Sequence, residues 1–116
     1  MIRMCCVQDV GLAINPDQLK AQIEGNLIWG LGMALTERVE IGPSDIASLN
    51  FDRYIIPRIQ DAPEFDIEII SPRRVPPAGA GETALIVGPP AIANALRRAT
   101  GRRYTSLPIR SASSST

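Results

Sequence analysis

The chain has 116 residues, of which 45% are apolar and 21% charged, and its twelve basic residues balance twelve acidic ones. That length suits one domain and is short for two. A neutral balance gives no electrostatic basis for nucleic acid or an anionic membrane as the main partner. No apolar run approaches the roughly 20 residues needed to span a bilayer, and the N-terminus lacks the apolar core of a signal peptide, so the cytoplasm is expected, with periplasmic assembly the other option. The two cysteines, Cys5 and Cys6, are neighbours. Adjacent cysteines rarely satisfy disulfide geometry, and on a strand they point to opposite faces. There is no histidine, which rules out a Ser-His-Asp arrangement within the chain and argues against a metal held by protein ligands.

Residues 4–10 are apolar enough for a buried strand, and its pairing partner must come from later in the chain or from another polypeptide. Asn15-Pro16-Asp17 predicts a helix start, with Asn15 as cap and Pro16 at the first helical position. Leu19, Ile23, Leu27, Leu31, Ala34 and Leu35 then recur three or four apart, the pattern of one buried face on a helix running to about Arg38. Gly25, Gly30 and Gly32 interrupt it, each costing roughly 0.5–1 kcal/mol relative to alanine. Something therefore approaches this helix closely: a second helix, a sheet or a ligand. Val39 and Ile41 alternate with charged residues and predict a short strand before a turn at 42–45. The aromatic pair Phe51 and Tyr54 marks 50–54 as ordered. Phe65, Ile67 and Ile69 alternate with Asp66 and Glu68 as a half-buried strand.

That strand leads into residues 71–82, a stretch in which Pro72, Pro76 and Pro77 fix the backbone while Gly79 and Gly81 free it. Glu82 follows at once. Pro89 and Pro90 suit the first turn of a second helix, and Gly101 is its expected stop. Glu82 has little local charge to pair with, and partial desolvation would suit it to proton abstraction. From spacing alone, a glutamate near a helix start is more often a dipole partner or a solvated loop residue. The pairs Arg97-Arg98 and Arg102-Arg103 suit a helix C-terminus or a phosphate.

Four segments in this order resemble the xanthine dehydrogenase/aldehyde oxidase family of molybdenum hydroxylases, in particular the C-terminal part of the molybdopterin-binding large subunit of isoquinoline 1-oxidoreductase-like members. They are residues 9–17 (DVGLAINPD), 22–32 (QIEGNLIWGLG), 50–54 (NFDRY), and 79–82 (GAGE) followed by 90–95 (PAIANA) and 101–109. Together they cover nearly the whole chain. Two positions depart from the family pattern: Val10 stands where a cysteine is common, and Thr83 where a proline is common.

The resemblance implies an α+β fold, the C-terminal portion of a molybdenum-cofactor-binding domain, with two main helices packed on a small mixed sheet. It implies that residues 1–110 belong to that domain and that 111–116 form a disordered tail. It makes Glu82 the catalytic base and Gln22, Gly25 and Gly81 cofactor contacts, with a molybdopterin-type molybdenum cofactor shared with missing upstream polypeptide and with no protein side chain as metal ligand. The implied reaction is hydroxylation of an N-heteroaromatic or aldehyde carbon with oxygen from water. The implied partners are the remainder of the molybdenum-binding subunit, an iron-sulfur electron-transfer subunit and a small substrate. The chain is then a truncated product or one piece of a split subunit, and inactive alone. The alternative is a non-catalytic remnant or interaction module that keeps the fold without cofactor.

Overall fold

A computed structural model describes residues 3–109; the predicted tail, 111–116, lies outside them. Strand β1 (Arg3–Asp9) pairs in parallel with β2 (Glu64–Ile70), in register from Arg3 opposite Glu64 to Asp9 opposite Ile70. The partner of the first strand is thus later in the same chain. The sheet among the described residues has these two strands alone, running the same way, so it is a parallel pair where a mixed sheet was expected. A parallel pair needs a long crossover, and helix α1 (Pro16–Leu35) is part of it. Helix α2 (Gly88–Thr100) follows β2. The α+β arrangement of two helices on a small sheet is as the sequence implies.

Both strands alternate. Met4 and Cys6 of β1 are buried while Arg3, Cys5 and Val7 face outward, and Phe65, Ile67 and Ile69 of β2 are half-buried. Both cysteines are free, and burial pushes the Cys6 thiol pKa up. On the outer face Arg3 pairs with Asp66 at 2.5 Å. The core joins Met4 and Cys6 to Ile23, Leu27, Leu31 and Ala34 of α1, and to Ala84 and Ile92. Ile23 is wholly shielded, at 0% exposure.

Asn15 caps α1 as expected, its Oδ1 accepting from the Gln18 amide at 3.2 Å. The helix ends at Leu35, short of the predicted Arg38, because the Gly32 carbonyl accepts from both Thr36 and Glu37 amides at 2.8 Å and closes the last turn. Gly30 faces the second helix, where an added Cβ would lie 3.2 Å from Pro89 Cδ and 3.3 Å from the Leu85 carbonyl oxygen. At Gly32 a Cβ would collide with the Glu37 carboxylate and Pro57. These two glycines answer to packing within the chain. The strand expected at 39–41 shrinks to one antiparallel bridge, Ile41 to Ile46. The chain reverses too tightly there for a ladder: Gly42 N bonds to Asp45 O at 2.7 Å and Ala47 N to Glu40 O at 2.8 Å. Residues 50–54 form a turn in which Tyr54 donates its hydroxyl to Glu37 Oε2 at 2.9 Å. That bond raises the Tyr54 pKa, with desolvation and the Glu37 charge adding to it. Gly101 stops α2 in the left-handed conformation, φ 72°.

Candidate functional site

The loop that carries Glu82 is irregular but laced to the segment leaving β1. Leu12 N donates to Val75 O at 3.0 Å, Ala13 N to Ser71 Oγ at 2.8 Å, and Ala78 N to Val10 O at 2.8 Å. Gly11 makes this approach possible, since its φ of 62° is unfavourable for other residues and a Cβ there would strike the Pro76 carbonyl.

Two residues of α1 then reach the loop. Asn26 Nδ2 donates to the Gly81 carbonyl oxygen at 2.8 Å, and Gln22 Nε2 donates to the same oxygen. Gln22 and Asn26 are one turn apart and so share a helix face. Past Glu82, the Thr83 hydroxyl oxygen accepts from Gln8 Nε2 of β1 at 2.5 Å. The Glu82 carbonyl accepts from Leu85 N at 3.2 Å, opening the short 3-10 turn at Leu85–Val87 that leads into α2.

Among the four residues singled out from the sequence, Gln22 and Gly81 touch directly, Glu82 is next in the chain, and Gly25 lies on α1 three residues from Gln22. Glu82 is exposed, and among the described residues its side chain makes no hydrogen bond or ion pair. The desolvation expected for Glu82 is therefore not supplied by this chain. Arg97 and Arg98 occupy the last turn of α2, and the Arg102 guanidinium lies over the Tyr104 ring at 5.9 Å. Among the described residues no three of His, Cys, Asp and Glu come together as a metal-binding group, and no helix is long and apolar enough to cross a membrane.

Sequence reasoning passed over Asn26 and Gln8. Asn26 does leave a trace: it is a polar residue in the apolar stripe between Ile23 and Leu27, and it is 4% exposed. Buried polar side chains are held by hydrogen bonds, so its position called for a partner. Gln8 leaves only the trace of one amide in an apolar strand.

A profile of the molybdopterin cofactor-binding domain family matches residues 1–63, which include β1 and all of α1. The chain belongs to that family. It is 38% identical over 110 residues to isoquinoline 1-oxidoreductase subunit beta of Brevundimonas diminuta, a match covering 95% of this chain and 14% of that protein. It is 40% identical over 110 residues to a Gluconacetobacter polyoxogenes protein named membrane-bound aldehyde dehydrogenase (pyrroloquinoline-quinone), again with 95% and 14% covered. That name carries a quinone, whereas the matched family profile carries molybdopterin. The backbone superposes on quinoline 2-oxidoreductase from Pseudomonas putida 86 with a TM-score of 0.82 at 26% identity, over 92% of this chain and 15% of that one. The chain thus spans about one seventh of the length of these relatives.

The residues present fit a flat, hydrogen-bonding pterin. Gln22 offers an exposed carboxamide with both a donor and an acceptor. A Cβ added at Gly25, Gly79 or Gly81 would meet nothing within 4 Å. Bare backbone is therefore open to a ligand on the helix and on the loop next to that amide.

Proposed function

We propose that this chain is part of the catalytic subunit of a molybdenum hydroxylase that converts an N-heteroaromatic or aldehyde carbon to its hydroxylated product with water as the oxygen source. In this proposal Gln22, Gly25 and Gly81 contact the molybdenum cofactor, and Glu82 is the general base. When bound, the cofactor supplies a Lewis acid and a two-electron acceptor. Glu82 takes up the proton released as the water-derived oxygen attacks the substrate carbon, and it returns that proton to solvent after turnover. The stiff loop sets the carboxylate in place before substrate arrives. The remainder of the molybdenum-binding subunit covers Glu82 and excludes water, and an iron-sulfur subunit carries the electrons away.

One observation supports this reading above the others: the α1 residue expected to contact the cofactor, Gln22, is hydrogen-bonded to the residue immediately before the expected base. The test is Glu82→Gln in the complete assembly. Turnover should fall by about 10²–10⁴ with molybdenum and pterin content unchanged. A loss of less than about tenfold would remove Glu82 from the chemistry.

A protein-interaction module without cofactor is the alternative, favoured by exposed apolar side chains such as Ile59 at 93% and Ile41 at 84%. Stoichiometric molybdenum and pterin in the purified assembly, lost on Gln22→Ala, would exclude it.

A further inference from the structure

Glu82 lies between two residues that are each gripped by a side-chain amide from a different element. Ahead of it, the Gly81 carbonyl oxygen uses its lone pairs on Asn26 Nδ2 and Gln22 Nε2. Behind it, Thr83 Oγ1 is held by Gln8 Nε2. The helix and the strand therefore fix the peptide on both sides of the carboxylate while the carboxylate itself stays free.

The two helix donors are not equivalent. Gln22 is exposed and has a long side chain that turns readily. Asn26 is 4% exposed, and its Nδ2 also donates to the Gln22 carbonyl at 2.8 Å, so both of its amide hydrogens are engaged and its rotamer is locked. On the strand side, Gln8 keeps its bond to Thr83 although its own Oε1 is buried without a partner. A buried amide oxygen left unpaired costs about 1–3 kcal/mol, so another side chain at position 8 would be cheaper for the fold alone.

We propose that Asn26 and Gln8 are positioning residues for Glu82, and that Asn26 holds the loop when the Gln22 amide turns away toward a ligand. What they position rests on the assignment of Glu82 as base; the grip itself does not. Hydrogen–deuterium exchange on the full chain, in the assembly with which it purifies, reads the grip without turnover. Asn26→Ala should speed exchange of the two hydrogen-bonded amides that flank the site, Ala78 and Leu85, by about fivefold, the worth of one hydrogen bond, with β1 and β2 unchanged. Thr83→Val should do the same at an exposed site that carries no core packing, and Thr83→Ser, which keeps the hydroxyl, should not. In the assembled enzyme Thr83→Val should lower kcat by about tenfold with KM held within about twofold, and Thr83→Ser should restore it. Should Asn26→Ala unfold the chain, the Thr83 pair alone decides.

Exchange at the Ala78 and Leu85 amides that is the same in Thr83→Val as in the parent overturns the proposal. So does faster exchange with an unchanged kcat in an enzyme that Glu82→Gln inactivates. If Glu82→Gln leaves turnover intact while Thr83→Val speeds exchange and lowers kcat, the base assignment fails and the positioning role passes to another group on the same loop.

Discussion

Two long stretches of this chain have little regular structure, and they are ordered in different ways. Residues 71–84 are rich in proline, glycine and alanine, and polar contacts from β1 and α1 hold them. Residues 36–63 carry large apolar side chains, several of them bare: Leu49 is 74% exposed, Phe51 66% and Ile59 93%. Their order comes from local turns, from the Tyr54 to Glu37 hydrogen bond and from Pro57 lying against Gly32 of α1. A loop of small residues fixed by hydrogen bonds can be rigid without a core, which suits a carboxylate that must stay accessible. Large apolar groups left in water are a general mark of interaction surfaces.

Changes that target one region and spare the other sharpen this contrast. The largest effect should come from Gly11→Ala. It adds a Cβ at φ 62° against the Pro76 carbonyl, so the turn and the loop cannot both keep their places. We expect a loss of about 1–3 kcal/mol in chemical denaturation, with faster proteolysis between 71 and 82 and none between 36 and 63. Tyr54→Phe should act on the other region only, costing about 0.5–1.5 kcal/mol. The same contact carries a pH signature. Because the folded-state Tyr54 pKa is raised above its ordinary value of 10.0, its contribution is complete below pH 10 and is lost as pH rises through the higher folded value. The parent should therefore lose stability on that rise faster than Tyr54→Phe does. The smallest effect on stability should come from Ile59→Ser, within about 0.5 kcal/mol, yet that variant should self-associate less in sedimentation. Equal self-association in parent and variant would remove Ile59 from any covered surface.

Much of the frame was legible from local chemistry. Asn15 before Pro16 marked the start of α1, the alternation of Phe65, Ile67 and Ile69 marked β2, and Gly101 marked the end of α2. Each of these signals is carried by residues within one or two turns of each other. The end of α1 was not legible, because it depends on Gly32 capturing two amides and on Glu37 and Pro57 closing over it. The parallel sense of the sheet was hidden too, since a pattern of alternation has no direction. At the candidate site, Glu82, Gln22, Gly25 and Gly81 are expectations from the resemblance, and the amide contacts of Asn26 and Gln8 join positions far apart in sequence. Periodicity has nothing to say about such pairs.

The register of the two strands has a bearing on how the molecule is made. Each residue of β1 finds its mate about sixty positions further on, so during synthesis β1 leaves the ribosome well before the strand it pairs with. Until β2 emerges, Met4 and Cys6 of β1 lack the strand that pairs with theirs, and it is during such intervals that newly made chains are most open to aggregation.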